Sequence, residues 1–136
     1  MEIIKQIDFS RIYYLDAFDR DLSKLYNRDK DSLHKYQNWL SKKLLLMDGS
    51  DIEDLIQLKG FEKIQGIKQD FFSIRNLSLP GNPRVLFFID DRNKKRSVYL
   101  LSVAFLEKNK SDYDKAIDVA LDRWKHVSDS MSKIED

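Results

Sequence analysis

Apolar residues recur every three to four positions through the first third of the chain, then gather into short continuous blocks between residues 70 and 106. The first texture predicts helices and the second predicts strands. Residues 11–15, Arg-Ile-Tyr-Tyr-Leu, are β-branched and aromatic and read as a short strand. Asp16 follows as a helix cap, its carboxylate accepting free N–H groups of the first turn, with Phe18, Leu22, Leu25 and Tyr26 at helical spacing behind it. The polar run 27–31 interrupts the pattern. A second helix is expected from about Asp31 to Met47, with Leu33, Tyr36, Leu40, Leu44 and Met47 in one stripe and Gly49 as its stop. Two helices joined by a short loop predict an antiparallel hairpin, residues 16–47, with both stripes turned to the core.

Three strands are expected next: 70–76 (DFFSIRN), 84–90 (RVLFFID) and 97–106 (SVYLLSVAFL). The second is continuously apolar after Arg84, as a central strand covered on both faces would be. Residues 77–83, rich in Pro and Gly, and the charged run 91–96 form the turns between them, so consecutive antiparallel pairing is predicted. Tyr113, Ala116, Ile117, Ala120, Leu121 and Trp124 mark a final amphipathic helix from about Ser111, with Ser111 as N-cap and Asp114 in the first turn. The order is β-α-α-β-β-β-α. The predicted class is α+β, a helical hairpin and a C-terminal helix packed on a small antiparallel sheet. Phe87, Leu101 and Trp124 are expected to be buried.

The length of 136 residues suits one domain spanning 1–136, with residues 1–10 as an N-terminal extension. Eight Phe, six Tyr and two Trp can fill a sizeable core. No apolar run reaches the length of a transmembrane helix, and the first ten residues lack the apolar stretch of a signal peptide. The chain has no cysteine, which excludes disulfides, thiolate metal sites and a Cys nucleophile. His34 and His126 stand alone, so no metal centre and no cofactor is expected, and the chain reads as a cytoplasmic protein. The net charge is only +1, but Leu58–Lys110 holds eleven Lys/Arg against five Asp/Glu, a balance of +6, while the remainder balances at −5. A local patch governs phosphate affinity more than total charge does.

Five strings in order carry a family resemblance. DAFDRDLSKL (16–25), LKG (58–60), FFSIRN (71–76) and RVLFFI (84–89), followed by LLSVAFLEKNKSDYDKAIDVALDRW (100–124), resemble the RelE/ParE superfamily of type II toxins, nearest to its HigB-like and phage-derived branch, over roughly residues 11–125. The resemblance implies a RelE-like fold and a toxin neutralised by an antitoxin, itself expected to bind DNA, in a hetero-oligomer. It implies two activities: ribosome-dependent mRNA cleavage, or ParE-like inhibition of DNA gyrase without catalysis. A toxin fold weakened in catalysis and kept for protein–protein interaction is a third reading. No membrane partner is implied.

Metal-free RNA cleavage by attack of a 2′-hydroxyl needs a proton acceptor, a proton donor for the departing 5′-oxygen and cations for the charge on phosphorus. Arg84 must reach a strand end or lie on the open face of the sheet. With Arg75 on the neighbouring strand it is expected to hold the scissile phosphate, because a guanidinium matches phosphate oxygens in pairs. Lys108 is a phosphate contact or proton donor, and Tyr113 is a stacking or proton-transfer group. These four form the expected catalytic set, with Lys59 and Lys110 as RNA-binding residues. Ser73 and Glu107 stand where ribosome-dependent members often carry basic residues, and no His occurs around Val103. Glu107 either accepts a proton or weakens the site.

Overall fold

The computed structural model describes residues 1–92 and 94–134. The strands are β1 (Ile3–Lys5), β2 (Ile12–Leu15), β3 (Phe61–Lys63), β4 (Phe71–Arg75), β5 (Pro83–Asp90) and β6 (Val98–Leu106). The helices are α1 (Asp16–Lys24), α2 (Lys30–Asp48), α3 (Ile52–Leu55) and α4 (Lys110–Ser132). The strands form one sheet in the order β1-β2-β6-β5-β4-β3, so the fold is α+β. No described helix is long and apolar enough to cross a membrane.

The meander β4-β5-β6 stands where the apolar blocks predict it, and every residue of β5 is buried. Adjacent residues of β5 serve opposite layers. Phe88 stacks on Trp124 of α4 at 4.6 Å, while Phe87 meets Phe61, Phe72 and Tyr99 on the other side. That second side is closed by α2 and α3, whose connection receives the Tyr99 hydroxyl on the Ser50 carbonyl. Phe87 and Leu101 are in the core, but Trp124 is only half-buried, because one side of its indole faces the Arg92 guanidinium instead of apolar packing.

The sheet is mixed, not purely antiparallel. β2 runs parallel to β6, since the helices and the whole meander intervene before the chain returns beside β2. Part of the N-terminal extension is also in the sheet: β1 pairs with β2 as an edge strand, Ile3 opposite Leu15. β3 adds the opposite edge, Phe61 opposite Ile74. Asp16 is the first residue of α1 and not its cap; its carboxylate accepts from the Ala17 and Glu2 backbone N–H groups. The connection between α1 and α2 is short, and Leu22, Leu33 and Leu40 line a groove between the two helices.

β2 covers only residues 99–101 of β6, and α1 then runs along the edge that β2 leaves unpaired. Asp21 of α1 accepts from the Ala104 N–H at 3.2 Å. Arg123 of α4 holds Asp21 at 2.8 Å and donates to the Ser102 carbonyl. Two side chains thus replace a missing strand, satisfying backbone groups that would otherwise be buried without partners. Ser102 is the extra residue at the irregularity opposite Leu86 and Phe87, where the ladder between β5 and β6 shifts.

The N-cap of α4 is Asn109, two residues before the expected Ser111. Asn109 and Asp112 form a reciprocal capping box, and Asp112, not Asp114, supplies the first-turn charge. At the other end, Arg92 donates to the Ser128 carbonyl and Lys94 to the Met131 carbonyl, while both cations pair with the buried Asp90. Cations at a helix C-terminus complement its exposed carbonyls. The basic segment is therefore divided between the two ends of β5. Asn93, within the predicted turn 91–96, lies outside the described residues.

Candidate functional site

Arg75 and Arg84 are direct partners in the ladder between β4 and β5, so their side chains leave the same face of the sheet. That face is covered by α4, not open, and Arg84 is only 4% exposed. Its guanidinium lies 3.0 Å from a Glu107 carboxylate oxygen and 4.6 Å from the centre of the Tyr113 ring. Arg75 pairs with Glu62 of β3 at 3.4 Å. Of the residues expected to share one face, the fold gathers Arg75, Arg84 and Tyr113, while Lys108 and Lys110 stand beside them.

The cluster is short of hydrogen bonds. Nε of Arg84, Nε of Arg75, Oδ1 of Asn82, Oγ of Ser73 and Oε2 of Glu107 are buried without a hydrogen-bond partner. Glu107 and Arg84 are in charge contact, yet no guanidinium N–H is aimed at that oxygen well enough to count as a bond. Buried polar atoms are nearly always satisfied in a folded protein, so unsatisfied ones gathered at one strand end mark a functional candidate. Burial raises the Tyr113 phenol above its ordinary pKa; the Arg84 cation opposes that shift, while Glu62 and Glu107 add to it.

Local chemistry fixes each part. Asp112 accepts from the Lys108 N–H at 2.9 Å and the Asn109 N–H at 3.2 Å, which sets the corner between β6 and α4 and so places Glu107 and Tyr113. The Glu107 N–H reaches the Asn82 carbonyl, extending the ladder past Pro83 and Leu106. Gly60 has φ +97°, and a Cβ there would stand 2.9 Å from the Arg75 carbonyl oxygen. The Arg75 N–H in turn bonds the Gly60 carbonyl at 2.9 Å. The LKG string thus has a local reason: only glycine lets the chain pass so close to Arg75.

Lys108 and Lys110 are exposed at the mouth of α4, beside the cluster but outside it. Lys59 lies on a groove of about 490 Å³ that shares Arg75 with the cluster and is also lined by Trp39, Lys43 and Asn76. His34 and His126 are exposed on helices, against Asn38 and the Asp122 carbonyl. Among the described residues no group of three His, Cys, Asp or Glu is placed to hold a metal ion. Sequence reasoning misses Glu62 and Trp39. The alternation of Phe61 and Glu62 beside Gly60 is the one local signal for Glu62; Trp39 sits beside the apolar stripe of α2 and carries none. No family model, curated protein or solved structure matches this chain.

Proposed function

We propose that the protein is the toxin of a type II toxin–antitoxin pair and a metal-independent endoribonuclease acting on ribosome-bound mRNA in the cytoplasm. The observation that carries this reading is Arg84, enclosed between Glu107 and Tyr113 and aligned with Arg75. In this reading the phosphate meets the Arg84 and Arg75 guanidinium groups, and Glu107, released from Arg84 by that anion, takes the proton of the 2′-hydroxyl. The 2′-oxygen attacks phosphorus, the bond to the 5′-oxygen breaks, and that oxygen leaves with a proton from Tyr113 or Lys108. The products are a 2′,3′-cyclic phosphate and a 5′-hydroxyl end. Exposed Lys59, Lys108 and Lys110 surround the mouth with positive charge, which suits RNA and also suits an acidic segment of a DNA-binding antitoxin covering the site.

A second reading has its own support. Both arginines already face carboxylates, as they would in a toxin fold whose catalysis is silenced and whose role is protein–protein interaction. Glu107→Gln separates the two. A proton acceptor lost to Gln lowers cleavage of ribosome-bound mRNA by about 10²–10⁴-fold, whereas removal of a silencing charge leaves cleavage unchanged or raises it. Arg84→Ala, assayed at a temperature where the variant remains folded, is expected to cost about 10²–10³-fold. Normal cutting by a folded Arg84→Ala protein sinks the phosphate assignment. Growth arrest with intact mRNA and failed supercoiling replaces it with gyrase inhibition.

A further inference from the structure

The groove beside Arg75 adds a second element to this end of the molecule. It lies between α2 and the end of β4, and its volume of about 490 Å³ falls in the range of small-molecule and nucleotide pockets. Three cationic side chains line it, Lys43, Lys59 and Arg75, against one carboxylate, Glu62, which is already committed to Arg75. Trp39 supplies a half-buried indole whose ring is braced by Tyr36 at 5.5 Å. Lys43 is steadied over the Phe61 ring, 5.7 Å from its centre. Asn76 is fixed from behind: its Oδ1 accepts from the Ser78 N–H at 2.8 Å, which leaves its NH₂ group to donate.

We infer that this groove binds one nucleotide of a single-stranded RNA adjoining the scissile phosphate, with its base on Trp39, its phosphate between Lys43 and Lys59, and a base edge against Asn76. The combination is the one single-stranded nucleic acid requires. An aromatic face accepts any base, cations follow the backbone, and one oriented amide adds a preference. Arg75 is the shared wall, so a strand whose phosphate lies at Arg75 and Arg84 has its neighbouring nucleotide within reach of Trp39. An apolar ligand would leave the Lys43 and Lys59 charges without an anion, and a free phosphate would leave the indole unused. The inference rests on reading the Arg84 cluster as an RNA-cleaving site.

The test uses the full chain and a 2′-O-methyl RNA hexamer, which cannot be cut by 2′-hydroxyl attack. In a Trp124→Phe background Trp39 is the sole tryptophan. The hexamer is expected to quench its fluorescence saturably. Trp39→Leu, followed by anisotropy of a labelled hexamer, is expected to weaken binding about 10-fold, the scale of one lost base stack. Lys43→Ala and Lys59→Ala should each reduce the slope of log affinity against log salt by about 0.7. Melting temperatures are measured for every variant, and Trp39→Phe, which keeps an aromatic face, should restore most of the affinity. Equal binding by folded Trp39→Leu overturns the inference. So does displacement of the hexamer from Trp39 by polyglutamate at lower concentration than by unlabelled RNA, which would make the groove a site for an acidic peptide. If the hexamer binds through Trp39 but the wild type cuts no ribosome-bound mRNA, the groove stands and the cleavage reading falls. If the wild type cuts and Trp39→Leu cuts the same substrates equally well, the cleavage reading stands and the groove falls.

Discussion

Asp21 and Arg123, one on the first helix and one on the last, meet at 2.8 Å over the unpaired edge of β6. The pair is largely buried, and each member also serves a strand backbone group, Ala104 N–H for Asp21 and Ser102 C=O for Arg123. Removing either partner strands the other's charge as well as a backbone group. Asp21→Ala and Arg123→Ala are each expected to lower unfolding free energy by about 2–4 kcal/mol. In urea titrations the double variant should cost clearly less than the sum. Additive losses would mean that the pair does not act as a unit.

Arg84 and Glu107 should separate stability from activity. Glu107→Ala leaves a buried guanidinium without its carboxylate and is expected to destabilise by about 3 kcal/mol. Replacing both, Arg84→Met with Glu107→Leu, should recover most of that loss, because an apolar pair of similar size suits a covered face. The recovered protein should still fail to cleave RNA. Cleavage by a well-folded Met/Leu protein would remove both residues from the chemistry.

Asp90 gives a pH prediction. Burial by itself raises its carboxyl, but the Arg92 side chain, the Arg92 N–H and the Lys94 charge outweigh burial, and the pKa settles below its ordinary 3.8. A folded-state pKa below the unfolded one contributes stability above the unfolded value and loses it as pH falls through the folded value. Wild-type stability should therefore drop steeply below about pH 4. Asp90→Asn, less stable at pH 7, should show a shallower drop, so the two denaturation curves converge with acidification. A constant gap from pH 7 to pH 2 would show that the charge on Asp90 contributes nothing.

Gly60→Ala should cost about 2 kcal/mol, from a left-handed backbone and a Cβ pressed on the Arg75 carbonyl. Because Arg75 moves with that carbonyl, the variant should also cut RNA less well at temperatures where it remains folded. Thermal melts alongside cleavage rates check both effects. A wild-type melting temperature would mean that the loop relaxes without strain.

The meander and the stripe of α2 are legible in the sequence because burial there repeats in continuous apolar blocks or at helical spacing. β1 and β3 are not legible, since three residues are too few for an alternating pattern and each gains its place only by lying beside a longer strand. The direction of β2 against β6 is equally invisible, being set by how the chain returns after the intervening elements. At the site, Arg75, Arg84 and Tyr113 can be found from strand positions and a helix start. Glu107 registers in sequence only as a departure from a basic pattern; its contact with Arg84 depends on register between β5 and β6. The charge balance of residues 58–110 misleads in one respect, because Arg92 and Lys94 are consumed by Asp90 and the end of α4.

That anchoring of α4 has a mechanical side. The helix is gripped at Ser128 and Met131 by the turn after β5, while its first turn is capped only by its own residues. From Tyr113 to Ser128 the rod measures about 22 Å at the rise of an α-helix. With Arg123 tying its middle to Asp21 and the Ser102 carbonyl, the helix is held along its far half, and its first turn, over Arg84, is the stretch that rests most on its own capping residues.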